Sequence, residues 1–185
     1  MKYIPNILTI ARILATPYLF YLVWSHTYTQ AIWTFIAIGL TDIADGFIAR
    51  HYHASSRLGA YLDPIADKLL LSGMFVTLLI AGLMHRWLAI LVLGRDVLIL
   101  LVAGIFYLSK QRRDFPPSAW GKASTFVQIA FLCFRIGELN QIPVHWVVAI
   151  LEWIVAALVV ISTFDYARRI FISPSTPAAS TVSNK

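Results

Sequence analysis

Cysteine is nearly absent from this chain. Cys133 is the one thiol in 185 residues, so neither an internal disulfide nor a cysteine-based metal cluster can form. Its apolar segment makes an inert buried thiol the expected state. Charge is scarce as well: charged residues make up 13% of the sequence and hydrophobic ones 59%, with a mean hydropathy of +0.73. A soluble domain carries roughly 25% charged residues, so the composition places the chain among integral membrane proteins. A basic leader followed by a small-residue cleavage site is missing from MKYIPNILTIARILATPYLF, and Arg12 interrupts its apolar run; a retained first helix is expected, with nothing suggesting export. No internal repeat is evident, which weighs against an inverted-repeat transporter.

What the chain does have is apolar sequence in six stretches, roughly 7–24, 30–50, 59–82, 87–108, 120–137 and 144–167. Each is close to the ~20 residues a spanning helix needs, and the breaks between them are short and polar. The expected fold is an all-α integral membrane protein of six transmembrane helices, forming one domain over 1–171. The Ser/Thr/Pro/Ala-rich end, 172–185, cannot bury enough apolar surface to order itself and is expected to be a disordered tail. Twelve of the fifteen Lys and Arg residues lie at or near the N-terminus, 51–57, 109–118 or the C-terminus, leaving Arg86, Arg95 and Arg135 elsewhere. The positive-inside rule then puts both termini in the cytoplasm. A formal charge of +6 is explained by the anionic lipid of a cytoplasmic leaflet, because the basic residues sit at helix ends without a soluble reading surface. No nucleic-acid partner is expected.

Only nine residues are acidic, yet Asp42, Asp45, Asp63 and Asp67 fall within 26 positions, on two of the apolar stretches. A carboxylate at a bilayer centre costs about 2.5 kcal/mol or more on insertion scales, so a strong compensating interaction is required. Asp42 and Asp45 are i,i+3 on the second stretch, while Gly59, Asp63 and Asp67 run i,i+4,i+8 on the third. Each helix therefore presents its acids on one face. The two helices are antiparallel neighbours across a short loop, so the acidic faces can converge near the cytoplasmic surface. Carboxylates so close repel one another unless divalent cations sit between them. An all-oxygen donor set favours Mg²⁺ or Mn²⁺ over zinc.

Gly46 and Gly59 lie beside the acids, where a missing side chain lets a flat or bulky ligand approach the backbone, at a cost of about 1 kcal/mol to the helix. Arg50, one turn past Gly46, is placed to bind a phosphate. Metal ions, a basic clamp and small residues together describe a phosphate-transfer site at a membrane surface.

The string Asp42-x2-Asp45-Gly46-x2-Ala49-Arg50-x8-Gly59-x3-Asp63-x3-Asp67 resembles, at all eight fixed positions, the signature of the CDP-alcohol phosphatidyltransferase family. The likeness extends to Ile4-Pro5-Asn6-x2-Thr9-x2-Arg12, to Asp63-Pro64-x-Ala66-Asp67-Lys68 and to Gly121-Lys122-x2-Thr125-x2-Gln128, which are similar to the branch that makes phosphatidylglycerol phosphate or cardiolipin. The resemblance implies transfer of a phosphatidyl group from CDP-diacylglycerol to an alcohol with release of CMP, in a homodimer in the cell (inner, cytoplasmic) membrane. It implies that Asp42, Asp45 and Asp63 hold the metals, two ions in number, and that Asp67 completes the site and acts as general base. Gly46, Ala49 and Gly59 would line the cytidine pocket, and Arg50 would meet the pyrophosphate. An ion-coupled carrier also uses intramembrane acids but has no need of the Gly-Arg-Gly framework.

The other polar residues carry two readings each. Asn6, Thr9 and Arg12 share one face of the first helix, either as helix capping with one snorkelling Arg or as a hold on substrate phosphate. Lys110, Arg112 and Arg113 either set topology or recruit an anionic acceptor, and Lys122 is a further candidate contact. His51 and His53 are read as solvated loop residues rather than metal ligands. Trp24, Trp33, Trp87, Trp120 and Trp146 are read as interface anchors, and Glu152 as a hydrogen-bonding partner of a neighbouring helix. Arg95 and Asp96 are adjacent, so they are expected to point apart, with Arg95 meeting acceptor phosphate. Two acceptors fit: glycerol 3-phosphate, ranked first, and phosphatidylglycerol, towards which Arg95-Asp96 leans because Arg-Asp resembles the cardiolipin synthases of the family.

Overall fold

The computed structural model describes residues 4–51, 57–108 and 118–172, with side chains over 9–42, 66–102, 104–105 and 118–169. Among these residues the chain forms six α-helices: α1 (Ile4–Trp24), α2 (Tyr28–His51), α3 (Arg57–Ile80), α4 (Arg86–Leu108), α5 (Ala119–Leu139) and α6 (His145–Ile172). Each coincides with one of the apolar stretches to within a few residues at either end. The segment His145–Arg169 is, by length and composition, long and apolar enough to cross a membrane. The C-terminal tail past Ile172 and the basic pair Arg112 and Arg113 lie outside the described residues.

The three polar breaks among the described residues work as helix stops. α1, α3 and α5 each end with a residue in the left-handed region: His26 (φ 58°), Gly82 (φ 69°) and Gln141 (φ 65°). In each case two backbone N–H groups fold back on the last turn. Thr27 N donates to Leu22 O at 2.9 Å and His26 N to Val23 O at 3.2 Å; Leu83 N donates to Leu78 O at 2.8 Å; Ile142 N donates to Gly137 O at 3.1 Å. These are Schellman caps, which satisfy carbonyls that the helix end leaves without partners. Arg135 reinforces the middle turn, donating from Nε to Leu83 O at 2.7 Å while its guanidinium also pairs with Glu138. This local duty explains a cation that departs from the positive-inside pattern. α5 starts on Ser118, whose Oγ accepts from Gly121 N at 3.2 Å.

Packing joins the helices in a ring, α1–α2–α5–α6–α4–α3 and back to α1, with α3 also touching α5 across it. Leu19 and Val23 of α1, Phe75 and Leu78 of α3, and Phe131 and Leu132 of α5 are buried at its centre, where the Phe75 and Phe131 rings stack at 6.0 Å. Because α3 and α5 meet, the ring is divided, and the half bounded by α1, α2, α3 and α5 holds Asp42 and Asp67. Every helix also turns large apolar side chains outward, Leu14, Trp33, Ile80, Ile90, Phe126 and Phe164 among them. Trp24, Trp87, Trp120 and Trp146 are exposed within two residues of a helix end, and Trp33 is exposed six positions into α2.

Candidate active site

Three helices bring one charge each to a common point. Arg12 of α1 is buried, 2% exposed, and its guanidinium lies between α2 and α3: Nη2 is 2.6 Å from Asp42 Oδ1 and Nη1 is 3.3 Å from Asp67 Oδ1. The carboxylates themselves are about half open, 46% and 53% exposed. Thr16, one turn on from Arg12, donates its hydroxyl to the Arg12 carbonyl at 2.8 Å, and Thr9, one turn before, is buried on the same face. Asp42 of α2 and Asp67 of α3 therefore face one another across Arg12.

Arg12 departs from the first of its two expected readings. It neither snorkels nor belongs to a cap: α1 begins at Ile4, which places Thr9 and Arg12 inside the helix, and the guanidinium is drawn inward by two carboxylates. A guanidinium with five donors can serve both acids at once, which a Lys ammonium does less well. The side chains of Asn6, Asp45, Gly46, Ala49, Arg50, Gly59 and Asp63 lie outside the described residues.

Arg12, Asp42 and Asp67 form the polar head of a cavity of about 330 Å³. Its remaining wall is nearly all apolar, with Phe35 and Ile38 from α2, Leu70 and Leu71 from α3, and Ile129 and Cys133 from α5. Cys133 is half-buried against this cavity rather than sealed in the core. An acidic head on an apolar body matches an amphiphile whose polar end carries the reacting group. The head supplies oxygen donors from two facing helices, which suits a hard divalent ion. Among the described residues no group of three or more His, Cys, Asp or Glu is gathered.

A second polar cluster adjoins the first. Lys68, next in sequence to Asp67, reaches Asp96 Oδ1 of α4 at 2.6 Å; Ser72 donates to Asp96 Oδ2 at 3.0 Å; and Arg95 Nη1 lies 2.9 Å from Asp96 Oδ1. The expectation that Arg95 and Asp96 point apart is therefore wrong. Adjacent Cβ atoms do diverge, but the long Arg stem curls back, and Asp96, only 7% exposed, gathers every donor within reach. Lys68 and Ser72 carry a role that sequence reasoning missed. The available signal was an acid in the apolar α4, which requires a cation from a neighbouring helix. Arg95 Nη2 also approaches the backbone at Gly121, near the start of α5. Lys122 is exposed in that first turn, with no ion pair among the described residues. Glu152 of α6 does meet a neighbour, as expected: His85 Nδ1, at the start of α4, is 2.6 Å from its Oε1.

A family profile described as CDP-alcohol phosphatidyltransferase matches residues 2–163. The chain is 32% identical over 174 residues to the CDP-diacylglycerol--glycerol-3-phosphate 3-phosphatidyltransferase of Aquifex aeolicus, covering 91% of this chain and 96% of that one. It is 35% identical over 173 residues to the protein of the same name from Rickettsia typhi, covering 90% and 96%. It is also 33% identical over 171 residues to the cardiolipin synthase (CMP-forming) of Rattus norvegicus, covering 91% of this chain and 54% of the relative. The chain thus spans about half the length of the mammalian cardiolipin synthases it matches.

Proposed function

Because this chain belongs to the CDP-alcohol phosphatidyltransferase family, we propose that it transfers a phosphatidyl group from CDP-diacylglycerol to a glycerol-type hydroxyl, releasing CMP. The observation that carries this reading is the meeting of Asp42 and Asp67, from two helices, at the head of an apolar cavity. A soluble nucleotide has no use for such a cavity, and a lipid without a charged head has none for the acids. In this reading the diacylglycerol part of the donor occupies the space between α2, α3 and α5, with its pyrophosphate at the acidic end.

Asp42, Asp45, Asp63 and Asp67 would hold Mg²⁺ or Mn²⁺, two ions in number. The metal's contribution is to neutralise negative charge on the pyrophosphate and on departing CMP. The chain's own groups do the rest. Arg12 holds Asp42 and Asp67 in one orientation and offsets their mutual repulsion. Gly46, Ala49 and Gly59 leave room for cytidine, and Arg50 binds phosphate. Asp67 takes the proton from the acceptor hydroxyl, which is nearly all protonated at neutral pH and needs a positioned base. No protein nucleophile is required, because the acceptor oxygen attacks phosphorus directly. Asn6, Thr9, Arg95, Arg112, Arg113 and Lys122 are the remaining candidates for contact with phosphate or acceptor.

Glycerol 3-phosphate is the first acceptor, supported by two bacterial relatives that this chain matches over 96% of their length. Phosphatidylglycerol is the second reading, supported by the cardiolipin synthases and by the Arg95-Asp96 pair. The same proposal embeds the chain in the cell membrane through all six helices, with both termini and the acidic site facing the cytoplasm and a second copy as its partner. The outward apolar side chains on every helix support the embedding. Product analysis tests the acceptor: detergent-purified chain is given labelled CDP-diacylglycerol with glycerol 3-phosphate or with phosphatidylglycerol. Labelled phosphatidylglycerol phosphate in the first mixture supports the first acceptor, and labelled cardiolipin in the second alone replaces it.

A further inference from the structure

An open groove of about 310 Å³ runs between α4 and α6, on the far side of the ring from the acidic cavity. Its floor repeats at helical spacing: Ile90, Gly94 and Leu98 are i,i+4,i+8 on α4, and Val160 and Phe164 are i,i+4 on α6. From Ile90 to Leu98 the helix rises about 12 Å. Two polar side chains line the groove. Thr163 turns its hydroxyl into its own helix, donating to Val159 O at 2.7 Å, which leaves Arg95 as the side chain able to meet a polar ligand.

Arg95 is charged and only 12% exposed, and its Nε has no hydrogen-bond partner among the described residues. It shares Asp96 with Lys68, so neither cation has that carboxylate to itself. Arg168 continues the Val160–Phe164 face one turn further along α6 and is exposed. Arg95 thus stands near the middle of α4, level with Asp96 and Lys68, and Arg168 stands towards the C-terminal end of α6.

We propose that this groove binds an anionic glycerophospholipid, with one acyl chain along Ile90, Gly94 and Leu98 and its phosphate on Arg95. The proposal rests on the chain being membrane-embedded. The occupant follows from chemistry. An extended peptide would need backbone partners that two α-helices do not offer, and an apolar helix laid in the groove would bring no anion to Arg95. A small soluble phosphate would leave the apolar length of the groove uncovered. A zwitterionic lipid would bring its ammonium towards Arg95 and the neighbouring Arg168, whereas an anionic head gives Arg95 an acceptor of its own. The bound lipid is a resident lipid beside the acidic site, and its consumption as phosphatidyl acceptor is an outcome that would overturn this assignment.

The test uses the full chain in phosphatidylcholine vesicles containing a little phosphatidylglycerol with a photoactivatable diazirine in one acyl chain. Cross-links are mapped by mass spectrometry. Wild-type protein is expected to label on α4 and α6 groove peptides, with competition by unlabelled phosphatidylglycerol and not by added phosphatidylcholine. Gly94→Leu is the decisive variant. A Cβ at Gly94 meets nothing within 4 Å, and Leu favours helix more than Gly, so the side chain fills the groove without disturbing the fold. Groove labelling should be lost in Gly94→Leu and fall about tenfold or more in Arg95→Gln, the usual loss when a charged hydrogen bond is removed. Equal labelling by a diazirine phosphatidylcholine, or undiminished labelling in Gly94→Leu, overturns the proposal. CMP release is measured on the same vesicles with CDP-diacylglycerol, Mg²⁺ or Mn²⁺ and glycerol 3-phosphate added. Labelling without CMP release under any acceptor condition would sink the proposed reaction while leaving the groove site standing. Survival of the probe beside glycerol 3-phosphate turnover supports a resident lipid, and its conversion to cardiolipin at the rate of groove labelling overturns that assignment.

Discussion

Replacing Arg12 with Met removes the cation that joins α1 to the acids of α2 and α3 while keeping most of the volume of its stem. The size of the effect follows from the geometry. Breaking a buried ion pair by deleting one partner costs about 3–5 kcal/mol, because the other charge is left buried. Here Arg12 is buried, but Asp42 and Asp67 are 46% and 53% exposed, so water replaces part of what the carboxylates lose. The cost should fall to about 1–3 kcal/mol. For a chain of this length about 1 kcal/mol moves Tm by roughly 2–4 °C, so Arg12→Met in detergent with a chelator should melt several degrees below wild type. A second effect has the opposite sign. Without the guanidinium the two carboxylates repel each other and attract a divalent cation more strongly, so added Mg²⁺ or Mn²⁺ should raise the Tm of Arg12→Met by more than that of wild type. An unchanged Tm in chelator would refute the idea that Arg12 ties the three helices, and equal metal shifts in the two proteins would refute the charge competition.

Other parts of the molecule give further tests. Asp96→Leu strands Lys68 and Arg95 and should cost about 3–5 kcal/mol in unfolding experiments, whereas Asp96→Asn keeps an acceptor for them and for Ser72 and should cost clearly less. Gln141→Gly relieves a non-glycine residue at φ 65° and should raise stability by about 0.5–1 kcal/mol, while Gly82→Ala at φ 69° should lower it by about 1 kcal/mol or more. Neutralising Arg112 and Arg113 separates topology from steering. If they gather an anionic acceptor, kcat/KM falls and the fall shrinks as salt is raised; a loss independent of salt contradicts steering.

The six helices were legible because apolar runs of nearly uniform length are separated by short polar breaks; the left-handed residues that end three of them, Gln141 among them, were not, since a Gln carries no local signal for positive φ. The facing of Asp42 and Asp67 was legible too, from i,i+3 and i,i+4 spacing on two consecutive helices. Partners supplied by other helices were not. Arg12 stands thirty positions before Asp42, and periodicity gives the face of a helix without saying which helix lies against it. Lys68 with Asp96 is the same case. The Arg95–Asp96 bond escaped because neighbouring Cβ directions do not limit a side chain as long as Arg. Cys133 looked sealed because its segment is apolar, but an apolar cavity wall and an apolar core share one composition.

The most direct test of the central claim is CMP release from CDP-diacylglycerol by the purified chain, titrated with Mg²⁺ or Mn²⁺, for wild type, Asp45→Asn and Asp67→Asn side by side, with CDP-diacylglycerol binding measured on each. Wild type should release CMP only when metal and an acceptor are both present. Asp45→Asn should need more metal and recover part of its activity in excess, as expected when a ligand loses its charge. Asp67→Asn should bind CDP-diacylglycerol and metal but turn over about 10²–10⁴-fold more slowly at every metal concentration, the range for a lost general base. Near wild-type turnover in Asp67→Asn, or its full rescue by metal, would show that Asp67 is one more ligand and not the base; wild-type protein that releases no CMP with either acceptor would contradict the reaction itself.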